Sequence, residues 1–440
     1  MNARRFDALV VGSGPAGSVA ATVLARGGAR VALVDKARFP RDKACGDLVG
    51  PRGVQVLDDL DIRVAGAVLV GDMVVVGPTA RRVRLPCFAG RTYPGHALAV
   101  PRADFDAALH DAAVAAGAEP FLGRAAAPLV GDAGLEGFTL ATGVELRADV
   151  VIGADGATSH VAAAADLIDP DRVLWGFAVR AYLDAPVDAP HIVLWETSRW
   201  RAFPGYGWLF PAPGDSANVG LGLGMLSDRT AAAAAARDLP AFMTTLRELG
   251  LVEADTPGPI LGGWLKLGMV GTRPARGRVL LTGDAAGLVN PLQGEGISQA
   301  MGSGRAAAQA VLAGPAHASQ HYTAHLATTY APYDATTATA HVTLLRHPRA
   351  VSAVGRVLTA PAVGSTLAGG WSLYWNDLLD GAVRCSPRAV AATAARVGRL
   401  ITSRSRTRRW LADALTVRSD RLTPAPDRGP VGPCEQTPPY

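Results

Sequence analysis

Lysine is nearly absent from this chain of 440 residues: Lys36, Lys43 and Lys266 are the only three. Arginine therefore carries almost all of the positive charge behind the formal net charge of +5. The arginines are scattered until the C-terminal segment, whereas a nucleic-acid surface needs basic residues clustered with aromatic residues between them. We therefore expect no nucleic-acid partner.

Cysteine is also scarce. The four cysteines show neither CxxC spacing nor the density of a disulfide scaffold. This pattern implies no structural metal, and it favours the reducing cytoplasm as the compartment.

Apolar segments long enough to cross a membrane are missing as well. Residues 8–25 carry no charge, but their glycines and periodicity indicate a strand and a turn. Residues 357–376 are also uncharged, and Pro361 together with three glycines argues against a spanning helix there. This second stretch either lines an apolar cavity, touches a membrane surface or packs in the interior.

What the chain does have is length and apolar content, since 49% of its residues are hydrophobic. That is enough for two or three interleaved subdomains around a large core.

The stretch from residue 8 to residue 35 is typical of a strand, a glycine turn, a helix and a second strand. Gly12, Gly14 and Gly17 leave the turn without side chains, so that a pyrophosphate can approach the backbone at the positive end of a helix. Asp35 ends the second strand, where a carboxylate accepts hydrogen bonds from the hydroxyls of an adenosine ribose. An acid at this place favours FAD or NAD over NADP. The stretch therefore predicts a dinucleotide site.

Two residues in the following segments have both an inert and a functional interpretation. Cys45 lies in a loop rich in proline, glycine and charge, and is either a small filler or a thiol beside a bound cofactor. Arg102 comes at the start of a helix that stops near Gly117, and is either solvated or a contact to phosphate and ribose.

The rest of the chain alternates between strands and helices. Asp155 follows an apolar strand, at the sheet edge where ligands bind in open α/β folds. Residues 176–224 are typical of β-structure with a hairpin turn at residues 213–215. A helix begins near Glu295 behind a glycine loop, and such an N-terminus stabilises a reduced, anionic flavin. Another helix is predicted over residues 230–249, a strand over 257–269, and a basic terminal helix, either interfacial or solvated, over 403–415.

Four separated stretches resemble the FAD-binding pattern of group A flavoproteins, which share the frame of para-hydroxybenzoate hydroxylase. They are the glycine turn with Asp35, KACGD at residues 43–47, GADG at residues 153–156 and GDAAGLVNPLQGEGI at residues 283–297. Within that group the chain resembles the geranylgeranyl reductase family, whose marker is a YxWxFP hairpin followed by GxG. The residues that form the marker here are Tyr206, Trp208, Phe210, Pro211, Gly220 and Gly222.

The resemblance implies an α/β fold, in which a Rossmann-like FAD-binding domain is interleaved with a substrate domain built on an antiparallel β-sheet. The segments expected to form the FAD-binding domain are residues 1–61, 97–165 and 270–320. The segments expected to form the substrate domain are residues 62–96 and 166–269. A C-terminal helical region is expected over residues 321–419, and a disordered tail over residues 420–440.

The resemblance also assigns site residues. Those expected to hold FAD are Gly12, Gly14, Ala16, Gly17, Asp35, Lys36, Cys45, Gly46, Arg102, Asp155, Gly156, Gly283, Asp284, Pro291, Gly294, Gly296 and Ile297. The six hairpin residues would bind the substrate. Cys45 and Tyr206 are the candidate acids, and our hypothesis places Cys45 first. Relatives commonly have the sequence CGDG where this chain has CGDL, with Leu48 in place of the last glycine. We expect the larger side chain to narrow the space in the Cys45 loop.

Membership of the family implies an enzyme in which reduced flavin delivers hydride to a C=C bond of a prenyl, polyprenyl or polyene-type lipophilic substrate. Electrons would come from NAD(P)H or from a transient carrier protein such as ferredoxin, and the basic terminal helix suggests a peripheral membrane contact. Two other functions share this frame: a monooxygenase or epoxidase, and a non-redox cyclase or lipid-binding protein that uses FAD as a scaffold. Halogenases usually add a WxWxIP tract and an active-site lysine, and neither motif is found here.

Overall fold

A computed structural model describes residues 4–132, 134–194, 205–225, 232–253, 257–330, 334, 337–342, 354–361 and 364–375. The basic helix expected over residues 403–415 and the tail expected over residues 420–440 lie outside these residues.

The strands fall into three sheets. In chain order they are β1 (Arg4–Val11), β2 (Val31–Asp35), β3 (Leu48–Val49), β4 (Val68–Val70), β5 (Met73–Val76), β6 (Arg82–Leu85), β7 (Ala97–Ala99), β8 (Glu119–Leu122), β9 (Ala125–Gly131), β10 (Gly134–Leu140), β11 (Glu145–Gly153), β12 (Trp175–Leu183), β13 (His191–Val193), β14 (Gly205–Ala212), β15 (Ser216–Met225), β16 (Leu261–Lys266), β17 (Ala275–Arg276) and β18 (Val279–Leu281).

The helices pack mainly on the faces of the largest sheet. They are α1 (Pro15–Arg26), α2 (Pro51–Asp59), α3 (Arg102–Ala115), α4 (His160–Ala164), α5 (Ala232–Glu248), α6 (Gly283–Ala286), α7 (Ile297–Ala313) and α8 (Ala318–Thr329), followed by a helix over Gly364–Trp375.

The largest sheet has a parallel centre of the dinucleotide-binding kind. Its strand order is β17-β18-β11-β1-β2-β8, with β10 and β9 attached to β11. The apolar and buried parts of these strands are residues 8–11 of β1, 31–34 of β2 and 150–153 of β11, as a parallel sheet covered by helices requires. The carboxyl ends of β1, β2 and β11 therefore meet at one edge, where the glycine turn, Asp35 and residues 153–156 come together.

The second sheet has seven strands in the order β16-β12-β15-β14-β13-β5-β6. Its pairs are antiparallel apart from β13 and β5, which run parallel. Strands β14 and β15 form the hairpin expected at residues 213–215. A small third sheet, β3-β7-β4, joins the Cys45 loop to the start of α3.

The α/β fold class expected from the sequence is confirmed. Among the described helices, none combines the length and apolar character needed to cross a membrane.

Candidate functional site

The glycine turn between β1 and α1 leaves bare backbone. Gly12 has φ +101°, and a Cβ there would lie 2.3 Å from the Ala154 carbonyl oxygen. A Cβ on Gly17 would lie 1.8 Å from the Gly12 carbonyl oxygen. Side chains are excluded at both positions, so the first N–H groups of α1 are open to a phosphate.

Asp35 holds this turn in place from within. Its carboxylate accepts hydrogen bonds from the backbone N–H of Ser13, at 2.7 Å, and of Ala37, at 2.9 Å. Each carboxylate oxygen has a second lone pair, so the predicted contact with a ribose hydroxyl is compatible with this role.

Arg41 is a residue at this turn that sequence reasoning missed. A Cβ added to Gly14 would meet the Arg41 guanidinium at 3.5 Å, and Arg41 also pairs with Asp106 at 3.0 Å. A guanidinium beside bare backbone at a helix N-terminus suits a pyrophosphate. The only local signal was its place in the charged loop before Cys45.

The loop before α7 is fixed by side-chain hydrogen bonds. The Asn290 side chain accepts hydrogen bonds from the backbone N–H of Leu292, at 2.9 Å, and of Gln293, at 3.0 Å. The Tyr206 hydroxyl donates to the Gln293 carbonyl oxygen at 2.5 Å. These bonds fix the loop on the sheet, with the N-terminus of α7 behind it.

A cavity of about 350 Å³ lies between this loop and the second sheet. We call it the inner chamber. It brings together most of the predicted site, namely Cys45, Gly46, Arg102, Tyr206, Trp208, Phe210, Gly222, Asp284, Pro291, Gly294, Gly296 and Ile297. Its wall is mainly apolar, as a lipophilic substrate needs.

The first glycine of the GxG marker makes room for this wall. In the register of β14 and β15, Tyr206 faces Gly222 and Trp208 faces Gly220. A Cβ on Gly220 would lie 2.2 Å from the Trp208 ring, whereas a Cβ on Gly222 would meet the same ring at an ordinary 3.7 Å. The Trp208 ring therefore requires glycine at position 220.

Arg102 is buried at the start of α3. Its guanidinium donates to both carboxylate oxygens of Asp106, at 2.8 and 2.7 Å, and it also hydrogen-bonds the Cys45 side chain. Burial alone would lower the pKa of Arg102, but Asp106 and Cys45 raise it overall, so the guanidinium keeps its charge. The solvated interpretation of Arg102 is wrong, whereas its contact with a cofactor stays a prediction.

Cys45 faces the inner chamber as a free thiol. Burial raises the pKa of this thiol, and the nearby charge of Arg102 opposes that shift without reversing it. The sulfur therefore carries its proton at neutral pH. Burial also raises the pKa of Tyr206, whose proton is already engaged with Gln293.

Asp155 accepts hydrogen bonds from the start of α4. Its carboxylate accepts a hydrogen bond from the Ser159 hydroxyl at 2.5 Å, and from the backbone N–H of His160 at 2.7 Å. It thus caps α4, and it lines neither of the two cavities described here. Its predicted contact with FAD stays a prediction, as does that of the neighbouring Gly156.

Five residues from the later part of the chain complete the inner chamber: His341, Val354, Gly355, Leu358 and Ala368. His341 packs against Gly224, and burial lowers the pKa of its imidazole to about 4, so it is neutral. Leu358 and Ala368 belong to residues 357–376, for which an apolar cavity lining was one of the interpretations, whereas no motif pointed to His341.

A larger cavity of about 720 Å³, the outer chamber, adjoins the inner one. The two share the lining residues Leu48, Met73, Leu85, Asn290 and Glu295. The outer chamber extends between α2, α7 and the helix Gly364–Trp375, where Arg52 and Gln299 supply polar groups.

These features fit FAD. The bare glycine turn with Arg41 suits its diphosphate, and Lys43 and Asp284, 3.6 Å apart on the chamber wall, offer polar atoms between that turn and the α7 loop. The α7 loop would take the ring.

The comparisons with known proteins agree with this geometry. The family model described as FAD binding domain matches residues 5–198. The chain is 34% identical over 327 residues to a menaquinone reductase of Mycolicibacterium smegmatis, covering 70% of this chain and 77% of that protein. It is 33% identical over 325 residues to a geranylgeranyl diphosphate reductase of Rhodobacter capsulatus, covering 70% and 75%.

Solved structures with the same fold belong to proteins with more varied activities in their names. A geranylgeranyl bacteriochlorophyll reductase-like protein of Thermoplasma acidophilum superposes with a TM-score of 0.68 at 21% identity, covering 86% of this chain and 98% of that one. A flavin-dependent brominase gives 0.70 at 18% identity, covering 90% and 100%. At these identities the likeness concerns the fold alone. The sequence relatives decide the family: the chain belongs to the geranylgeranyl reductase family of FAD-dependent oxidoreductases.

Proposed function

We propose that this protein hydrogenates a C=C bond in the isoprenoid chain of a lipophilic substrate. The observation that carries the proposal is the free Cys45 thiol in the wall of an apolar chamber, beside the loop that would hold the flavin ring. The M. smegmatis relative is named for menaquinone, so a polyprenyl quinone is the first substrate to test.

Reduced flavin, when bound, supplies a hydride to one alkene carbon. The chain's own residues must then supply a proton to the neighbouring carbon, because an isolated alkene is a poor hydride acceptor. In the proposed step the S–H bond of Cys45 breaks, a C–H bond forms, and the thiolate regains a proton from water. The hydride and the proton together add two hydrogens to the alkene.

Trp208 and Phe210 form the apolar wall that excludes water during this step. Affinity needs few polar contacts, since each buried CH₂ contributes about 0.8 kcal/mol. We propose that the rest of the isoprenoid chain extends from the inner chamber into the outer one, through the residues that both share.

The test is anaerobic turnover with dithionite as the electron source, so that the natural donor is not needed. Dithionite also reduces the quinone ring, so the product is reoxidised in air before mass spectrometry, and menaquinone should then carry two extra mass units per C=C bond reduced. Cys45→Ala and Cys45→Ser should slow this reduction by about a hundredfold or more while FAD stays bound. Reoxidation of the reduced flavin by ferricyanide serves as the internal control and should not change. Full activity of Cys45→Ala would remove the thiol from the reaction.

The same assay separates the other two functions. A monooxygenase stalls without O₂, and a scaffold protein converts its substrate with oxidised FAD and no reductant. Either result would overturn the proposed reduction.

A further inference from the structure

Asp47, two residues after Cys45, has an unusual place for an aspartate. It is 1% exposed, and its backbone lies in the left-handed region with φ +61°. Glycine adopts that conformation without strain, whereas an aspartate there carries a cost that persists only when surrounding contacts fix it. The side chain must therefore contribute something that glycine cannot.

The contacts of Asp47 connect the Cys45 loop to the second sheet. Its Oδ2 accepts hydrogen bonds from the Tyr182 hydroxyl, at 2.5 Å, and from the Asn218 side-chain amide, at 2.7 Å. The same amide donates to the Cys45 carbonyl oxygen at 2.8 Å, and the Asn218 oxygen accepts from the Trp208 indole N–H at 2.9 Å. The loop and the chamber wall are thus joined through one carboxylate and one amide.

Asp47 also contacts the sulfur itself. Its backbone N–H points to the Cys45 Sγ at 3.3 Å. Its other carboxylate oxygen, Oδ1, is buried and has no hydrogen-bond partner among the described residues. A charge in such a place acts strongly on neighbouring groups, because little water screens it.

The charged groups that act on the Cys45 thiol are Arg102 and Asp47. Arg102 is its cationic neighbour, but Asp106 holds that guanidinium through two hydrogen bonds. Asp47 is the anionic neighbour, with Arg180 and Tyr182 beside it, and the Tyr206 hydroxyl lies on the chamber side. Burial raises the pKa of Asp47 to about 6, so the carboxylate is charged at pH 7 and above.

We propose that Asp47 is a positioning residue for Cys45: it fixes the thiol loop against the Trp208 strand, and its negative charge acts together with burial to keep the proton on the sulfur until a substrate carbon accepts it. This inference rests on the proposed function, in which Cys45 is the acid. Without Asp47, Arg102 is the dominant charge near the sulfur, and the thiol would lose its proton at a lower pH.

The test is the pH dependence of Cys45 alkylation by iodoacetamide in the FAD-loaded protein, followed by mass spectrometry of the Cys45 peptide. In Asp47→Asn the midpoint of the alkylation profile should fall by about one pH unit. Anaerobic alkene reduction should slow about tenfold or more, with FAD content unchanged. Asp47→Glu, which restores the charge, should move the midpoint back toward the original value.

Asp61→Asn is the matched control, since Asp61 is also an aspartate with positive φ, at +47°, but its side chain is 85% exposed. It should change neither the midpoint nor the rate. If Asp47→Asn fails to fold, Asp47→Gly is the second variant, because glycine adopts positive φ without strain. The midpoint of its alkylation profile should fall by the same amount.

A midpoint that stays or rises in the Asp47 variants would overturn the proposal. Faster alkylation at every pH with an unmoved midpoint would mean that Asp47 only holds the loop, and this outcome would contradict the role proposed for its charge. If the alkylation midpoint falls in Asp47→Asn but Cys45→Ser keeps full activity, Asp47 does act on the thiol, and the proposed function of Cys45 as the acid is wrong.

Discussion

Lys266 is the most fully buried charged side chain outside the cofactor site, at 0% exposure in β16. Its neighbours Leu265 and Leu267 line the inner chamber, whereas Lys266 lines neither cavity. Its Nζ has no hydrogen-bond partner among the described residues. Burial lowers the pKa of Lys266 to about 8, and the more distant Asp155 and Asp284 oppose this shift. Because its side chain reaches neither cavity, Lys266 is not placed to contact a substrate.

We expect Lys266→Met to stabilise the apoprotein at pH 7. The pKa of Lys266 is lower in the folded state than the reference 10.5, so between pH 8 and 10.5 the unfolded chain binds more protons and stability rises with pH. Removal of the amine should abolish that part of the rise and increase the unfolding free energy at pH 7 by about 1–3 kcal/mol. Urea unfolding across this pH range measures both effects. The exposed Lys36→Met is the control, with a change below about 0.5 kcal/mol.

Tyr206 was the second candidate acid, and its contacts suggest a different expectation. Because the hydroxyl proton is held by the Gln293 carbonyl oxygen, we expect Tyr206→Phe to loosen the flavin loop but to retain proton transfer. Alkene reduction should fall by less than about tenfold, against the hundredfold or greater loss expected for a general acid. Single-turnover rates in dithionite-reduced enzyme, compared with Cys45→Ala, decide between the two roles.

At the scale of elements, the hairpin of β14 and β15 allows a paired test. A Cβ on Gly220 would lie 2.2 Å from the Trp208 ring and 2.3 Å from the Val179 carbonyl oxygen, and the backbone atom cannot move aside. A Cβ on Gly222 meets the same ring at an ordinary 3.7 Å. We therefore expect Gly220→Ala to destabilise the protein by about 1–3 kcal/mol. Gly222→Ala should stay within about 0.5 kcal/mol, and equal effects in urea unfolding would contradict the packing argument.

Elements that depend on local pattern were predicted well from the sequence. The helix expected over residues 230–249 runs from Ala232 to Glu248, and the helix expected near Glu295 begins at Ile297. The glycine turn and the hairpin turn were also found, because glycine and proline act on their own part of the backbone.

The site could be predicted only where it follows a motif. Arg41, Asp47, Asn218 and His341 were missed because their partners lie far away in the sequence. Tyr182 and Asp47, for example, are 135 residues apart, and one sequence gives no sign of such a pair. Asp155 caps α4 through neighbours in the sequence. Its position at the end of a strand is nevertheless equally typical of a helix cap and of a residue that contacts a cofactor, so the sequence alone could not assign the capping role.

At the scale of the whole molecule, the inner chamber is assembled from three sources. The FAD-binding frame supplies Cys45 and the α7 loop, the second sheet supplies the aromatic wall, and the later helices supply Leu358 and Ala368. The outer chamber continues along the helix Gly364–Trp375. In the proposed function, the outer chamber therefore distinguishes substrates by the length of their isoprenoid chains, at a distance from the site of hydride transfer.

Gly369 offers a way to test this arrangement. It lines the outer chamber, and a Cβ there meets no described atom within 4 Å. A large side chain at this position should occupy the chamber without disturbing packing. We expect Gly369→Phe to lower kcat/KM about tenfold for a menaquinone with a long isoprenoid chain, and to leave a quinone with one or two isoprene units unchanged. Gly369→Ala, which adds only a methyl group, is the control and should behave as the parent protein on both. An equal loss on long and short substrates would indicate a general structural defect, and no loss on either would exclude the outer chamber from substrate binding.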